Sequence, residues 1–191
     1  MFCDSLVCES FFFFHAQVTH KVKQQRATKD YHFERISPFP PLISSLSKDI
    51  VTLCEPLLPS YSGTNYRPEA GIVNFYSSKD TLMAHQDRSE PDNNSPLVSI
   101  SLGLSCVFLI GTESRDDRPV PILLRSGDCL IMSGPCRRAF HGVPRIVEGS
   151  CPDFLKEGTT DEEGGEEWKG TFFCKYMQDA RININVRQVY P

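Results

Sequence analysis

The chain has 191 residues, 40% of them apolar and 23% charged, with a formal net charge of −4. This length suits one domain with a core of its own, and the composition excludes a fully disordered or collagen-like chain. No run of about 18 apolar residues occurs, so no transmembrane helix is expected. The acidic balance excludes a globally basic nucleic-acid binder while leaving room for a local basic patch.

Residues 1–30 are poorly patterned and read as an irregular arm. Their basic cluster, Lys21, Lys23, Arg26 and Lys29, suits a solvated arm or phosphate contact. Met1 to Phe14 lacks a basic n-region and Arg, and carries Asp4 and Glu9, which argues against a signal peptide or mitochondrial presequence. Ser37 to Pro41 breaks the chain, and Leu42, Leu46 and Ile50 follow at helical spacing. That spacing predicts a helix from Leu42 to Leu53, capped by Ser44 or Ser45 and ended before Pro56.

From Gly71 the texture turns to β. Strands are predicted at Ile72–Tyr76, Leu97–Leu102, Cys106–Ile110, Val120–Arg125, Cys129–Met132, Phe140–Val143 and Arg181–Val189. Ser126-Gly127-Asp128 supplies a turn. Residues 148–167, rich in acid and glycine, read as a mobile loop, and Trp168, Phe172 and Tyr176 suggest a short helix before the last strand. The fold class expected is mainly β with a flanking helix, an antiparallel sandwich or jelly roll. The eight cysteines are scattered, with no C-x-x-C pair, which fits a reduced intracellular protein better than a zinc site or a secreted disulfide scaffold.

Two histidines stand in informative contexts. His85-Gln86-Asp87 is an H-x-D triplet, and His141 follows 56 residues after His85. Two imidazoles and one carboxylate can bind one face of an octahedral Fe(II), leaving three positions open. On an extended strand, residues i and i+2 point the same way, so His85 and Asp87 can reach one metal. Alone, H-x-D is a weak signal. In Arg181-Ile182-Asn183-Ile184-Asn185-Val186-Arg187, even positions are apolar and odd positions are polar. Such a polar face either meets solvent or lines a pocket for a dicarboxylate. At about 3.3 Å per residue the two Arg backbones lie roughly 20 Å apart, and each guanidinium could take one carboxylate by paired hydrogen bonds.

Asn74-Phe75-Tyr76, His85-Gln86-Asp87-Arg88-Ser89-Glu90, Ser99 to Gly103, Ser126-Gly127-Asp128, His141 and Arg181-x-Asn183-x3-Arg187-Gln188 occur in that order. Together they resemble the AlkB family of nucleic-acid dealkylating dioxygenases, over about Glu69 to Val189. Asp87 to Glu90, Ser133-Gly134, Val143-Pro144-Arg145 and the closing strand look most like its eukaryotic homologue 1 branch. The resemblance implies a double-stranded β-helix, with a dioxygenase domain over 31–191 and its core over 69–191. It implies that His85, Asp87 and His141 hold Fe(II), and that Arg181 and Arg187 hold the carboxylates of 2-oxoglutarate. Asn74, Tyr76 and Asn183 would hydrogen-bond this co-substrate, with O2 as oxidant. The implied activity is hydroxylation of a base methyl group in DNA or tRNA, releasing succinate, CO2 and formaldehyde. Ser89, Arg115 and Tyr31 match positions near the substrate.

Ser89 stands where bacterial AlkB has an acid, so contact to the exocyclic group of the base should differ. About 70 residues precede Asn74, which is short for a family with a nucleotide-binding lid and a base-stacking aromatic residue there. That implies an N-terminally truncated or alternatively started form. Two other functions stay open: a 2-oxoglutarate oxygenase acting on a protein such as a histone tail, and a catalytically impaired binding module. A hydrolase is disfavoured, since no G-x-S-x-G elbow is present. A monomer without a membrane partner is expected, in the nucleus or cytoplasm, with the mitochondrion left open. DNA repair is the process the family suggests.

Overall fold

The computed structural model describes residues 13–15, 39–58, 61–155 and 172–191. Two antiparallel sheets make up the body. The larger contains β1 (Phe13–His15), β7 (Asp128–Met132), β4 (Leu97–Gly103), β9 (Ala180–Arg187) and β2 (Ala70–Ser77), in that spatial order. The smaller contains β3 (Leu82–His85), β8 (His141–Ile146), β5 (Cys106–Ile110) and β6 (Val120–Leu124). This is the expected jelly roll, with α1 (Pro41–Cys54) on its flank and α2 (Phe172–Asp179) leading into β9.

The period-2 alternation of β4 and β9 gives the larger sheet two different faces. Val98, Ile100, Ile184 and Val186 pack outward against Ile43, Ile50, Val51 and Cys54 of α1. Ser99, Arg181, Asn183 and Arg187 point inward, toward the smaller sheet, and line a cavity there. They are nevertheless buried, with Arg181 at 1% exposure and Arg187 at 3%. The polar face of the last strand is therefore a pocket wall, not a solvent face. Around the cavity the sheets share an apolar core that includes Leu97, Phe108, Leu124, Met132 and Val143.

Neither Ser44 nor Ser45 caps α1, whose N-terminus has no side-chain cap. The helix begins one residue earlier than expected, with Pro40 at the cap position and Pro41 following. Proline at the first helical position has no N–H to satisfy. The two serines consequently lie inside the first turns, where Ser45 Oγ donates to the Leu42 carbonyl at 3.1 Å. The helix ends at Cys54 and tightens into a 3-10 turn over Glu55–Leu57, around Pro56.

Two strands escaped the sequence pattern. Leu82–His85 is short and built from Leu, Met and Ala, residues of modest β propensity. Phe13–His15 lies in the segment read as irregular, and pairs with β7 through Phe13–Leu130 and His15–Asp128. Tyr31, the basic cluster at 21–29, Trp168 and residues 156–167 of the acidic segment lie outside the described residues.

Candidate metal and co-substrate site

β3 and β8 are paired so that His85 sits directly opposite His141. Their rings lie 4.4 Å apart between centroids, and Phe108 stacks on His141 with centroids 5.6 Å apart. The pairing depends on Gly142. A Cβ there would stand 2.8 Å from the Leu82 carbonyl oxygen and 3.2 Å from the Ala84 nitrogen. Glycine alone lets the two backbones approach this closely.

Each imidazole is fixed in the same way. His85 Nδ1 lies 2.9 Å from the Met83 carbonyl, and His141 Nδ1 lies 3.0 Å from the Ala139 carbonyl. A carbonyl only accepts, so Nδ1 carries a proton, and in the neutral ring Nε2 is the nitrogen with the lone pair. Both Nε2 atoms face Asp87, at 3.8 Å from His85 to Oδ1 and 3.6 Å from His141 to Oδ2. One ligand atom from each of the three residues falls within 4.8 Å of the others. Burial pulls the His141 imidazole below its ordinary value; Asp87 and the Ala139 hydrogen bond oppose the shift without cancelling it. A neutral imidazole is the form that ligates a metal.

Asp87 does not share the strand of His85. β3 ends at His85, and Asp87 lies beyond it in an irregular stretch. Asp87 is held by arginines instead. Arg137 Nη1 donates to its backbone carbonyl at 3.0 Å, and Arg187 Nη2 lies 2.8 Å from its Oδ2.

The cavity between the sheets has a volume of about 520 Å³. Arg187 stands at its metal end. Six residues back along β9, Arg181 marks the other end, its Nη2 donating to Ser101 Oγ at 2.9 Å and its Nη1 to the Leu104 carbonyl at 3.4 Å. Burial draws the Arg181 guanidinium down from its ordinary value. Asn74 and Tyr76 lie across from Asn183 and Arg181 in the β2–β9 register. Asn183 is already engaged: its Nδ2 donates to Ser99 Oγ at 2.7 Å and to the Ile100 carbonyl at 3.2 Å. Its Oδ1 accepts from Asn74 Nδ2 at 3.4 Å. Burial raises the Tyr76 phenol, so it stays protonated and able to donate.

Among the described residues, Asp87 Oδ2, Arg181 Nε and Arg187 Nε are buried without a hydrogen-bond partner, and all three belong to cavity-lining residues. Arg187 Nη2 is close to Asp87 Oδ2 but not aligned to donate to it. A carboxylate set between two imidazoles, with an unpartnered oxygen, and spare N–H groups on two buried guanidinium ions are what a divalent cation and a dicarboxylate would satisfy.

The 2OG-Fe(II) oxygenase superfamily model matches residues 9–187. The chain belongs to this superfamily. Within the superfamily it is an AlkB-like protein. It is 42% identical over 165 residues to the tRNA demethylase abh1 of Schizosaccharomyces pombe, covering 86% of this chain and 49% of that one. It is 44% identical over 128 residues to the DNA N(6)-methyladenine demethylase ALKBH1A of Arabidopsis thaliana, covering 67% of this chain and 36% of the relative. The solved structure of OsALKBH1 superposes with a TM-score of 0.60 at 28% identity, over 78% of this chain and 66% of that one. The chain thus spans about half or less of the length of these two curated relatives. Fe(II), 2-oxoglutarate and O2 are the cofactors of this oxygenase superfamily, and the triad and the unpartnered Nε atoms of Arg181 and Arg187 fit them.

The cavity brings together His85, Asp87, His141, Asn74, Tyr76, Arg181, Asn183, Arg187 and Ser89. Arg115 is elsewhere. It stands over Phe140 at 5.8 Å in a neighbouring groove of about 400 Å³ that shares Leu82 and His141 with the main cavity. Ser99, Ser101 and Glu90 stand inside the quoted motifs without a role assigned to them, and Arg137, three residues past Ser133-Gly134, was not singled out. All four are buried polar residues.

Proposed function

We propose that this chain is an oxidative demethylase of methylated bases in DNA or tRNA. One observation carries the reading: a His-Asp-His cluster and two buried arginines share one cavity, with Arg187 on the metal ligand and Arg181 at the far end. Iron and 2-oxoglutarate, when bound, would supply the oxidising chemistry with O2, one oxygen atom going to succinate as CO2 leaves and the other to the methyl group, whose hydroxymethyl product leaves nitrogen as formaldehyde.

The chain's own residues bind and orient. His85 and His141 present Nε2, and Asp87 presents a carboxylate oxygen. Arg187, beside Asp87, would hold one carboxylate of 2-oxoglutarate. Arg181 would hold the other through Nε and the nitrogen that now donates to Ser101, with Tyr76 beside it. Asn183, tied to Ser99 and Asn74, holds the wall between the two arginines. Leu97, Phe108, Leu124, Met132 and Val143 keep water from this cavity. Ser89 is exposed at the cavity, where a substrate base would approach, and Arg115 in the adjoining groove suits a phosphate.

The relatives named for DNA or RNA demethylation support nucleic acid as the substrate class. A reducing compartment belongs with this reading, the nucleus or cytoplasm with the mitochondrion left open, since the scattered cysteines include no C-x-x-C pair. Two experiments test it. Anaerobic addition of Fe(II) and 2-oxoglutarate should produce a visible absorption band that His141→Ala abolishes. Formaldehyde should be released from methylated oligonucleotides and not from methylated peptides. Release from peptides alone would overturn the substrate assignment.

A further inference from the structure

Asp87 lies past the end of β3, so the strand leaves its backbone unanchored. What fixes it comes from a buried cluster beside the cavity. Arg137 is 1% exposed and sits in the 3-10 turn Gly134–Arg138, just ahead of the strand that carries His141. Its guanidinium reaches three ways. Nη1 donates to the Asp87 carbonyl at 3.0 Å, Nε to the Ser95 carbonyl at 3.1 Å, and Nη2 to Glu90 Oε2 at 3.3 Å. One side chain thus joins the segment bearing the second ligand to the segment bearing the third.

Glu90 completes the cluster. Its side chain has 0% exposure and lies between Arg137 and Arg187. Oε1 accepts from Arg187 Nη1 and from Ser89 Oγ. Arg187 in turn sets its other nitrogen against Asp87. Burial would raise the Glu90 carboxyl, but Arg187 and the hydrogen bonds outweigh burial and hold it below the ordinary carboxylate range. The cluster has two carboxylates and two guanidinium ions, so its charges balance. Without the Glu90 charge, Arg187 keeps Asp87 as its carboxylate partner, in competition with a divalent cation, while Arg137 still feels Asp92.

We propose that Arg137 and Glu90 are positioning residues for the metal centre. Arg137 fixes the Asp87 backbone, and Glu90 shares Arg187 so that the Asp87 carboxylate stays available to metal. This rests on the metal-site reading above. Neither residue touches substrate or metal; both act through Asp87.

The test is Mn(II) binding, followed by calorimetry without co-substrate, on wild type, Glu90→Gln, Arg137→Lys, Arg138→Lys and His85→Ala. Arg138 is the control, an exposed neighbour paired with Glu113 at 3.0 Å. Altering a partner that orients a metal ligand typically weakens affinity about 10–100-fold. Glu90→Gln and Arg137→Lys should each fall in that range, with Arg138→Lys unchanged. Melting temperature without metal is measured in parallel, and binding is compared where every variant is folded. A lowered melting temperature with wild-type Mn(II) affinity means a merely structural role and overturns the proposal. If Arg137→Lys fails to fold, Glu90→Gln, of equal shape, decides. Should wild type bind no Mn(II), the metal-site reading fails and this inference falls with it. Should His85→Ala lose binding while Glu90→Gln and Arg137→Lys keep it, only this inference fails.

Discussion

Replacing Arg181 by Met separates co-substrate binding from folding. Met matches the unbranched stem of Arg and is apolar and adaptable, so the cavity wall keeps its packing. Arg181 is 1% exposed, its Nε has no partner, and its two other contacts are neutral acceptors, Ser101 Oγ and the Leu104 carbonyl. Its burial costs several kcal/mol of desolvation. The two hydrogen bonds return about 1.5–3 kcal/mol each. The terms nearly cancel, so Arg181→Met should leave the melting temperature unchanged or raise it slightly. Binding should respond very differently. Truncating one partner of a buried, hydrogen-bonded charge pair costs about 2–5 kcal/mol, or roughly 30- to 4,000-fold in affinity. We expect the KM for 2-oxoglutarate to rise at least about 30-fold while Mn(II) affinity holds within a few-fold. The assays are succinate formation against 2-oxoglutarate concentration, Mn(II) calorimetry and thermal melting. A variant that melts several degrees lower with an unchanged KM would show that Arg181 is a structural cation, and would refute the clamp.

Gly142→Ala should force β3 away from β8, because the new Cβ would meet backbone rather than a flexible side chain. We expect a loss of about 1–3 kcal/mol of stability, with Mn(II) affinity falling as His85 and His141 separate. Unchanged calorimetry would refute the role of this close approach. Asp92 gives a pH prediction away from the metal ligands. Burial raises its carboxyl, but the Ser95 hydroxyl and the backbone N–H groups of Ser95 and Asn94 outweigh burial and hold it below its usual value. A depressed carboxyl stabilises the fold above its unfolded value of about 4, and that contribution is lost as pH falls. Asp92→Asn should therefore cost about 1 kcal/mol at pH 7 and almost nothing near pH 2, measured by urea unfolding at both values. An equal cost at both would refute the assignment.

The β-sheet core was legible because its strands carry apolar runs with period 2, and because β9 alternates Arg and Asn with Ile and Val. The alternation alone left the fate of the polar face open. A solvent face and a pocket wall have the same periodicity, and only the second sheet, stacked over it, settles which one this is. β3 was illegible for a different reason. Leu82, Met83 and Ala84 have little strand preference, and their pairing is imposed by β8 across Gly142. A strand stabilised mainly by its partner leaves little trace in its own residues.

The metal ligands show the same division. His85 and His141 are placed by strand pairing and by local hydrogen bonds two residues back along the chain, which are short-range facts. Asp87 looked like the second member of a strand motif, yet it is held across the fold by Arg137, 50 residues away. The structure brings His85 and Asp87 together as the H-x-D spacing suggests, but not by the strand alternation given as its reason. The His-x-Asp segment supplies the ligands, and a buried Arg–Glu pair outside it sets the geometry of the carboxylate. Chemistry of this kind depends on holding groups within a fraction of an ångström. It follows that retaining His85, Asp87 and His141 is not sufficient for a competent centre. A chain that keeps all three but loses Arg137 or Glu90 should bind metal weakly, and one that keeps both should tolerate replacement of exposed neighbours such as Arg138.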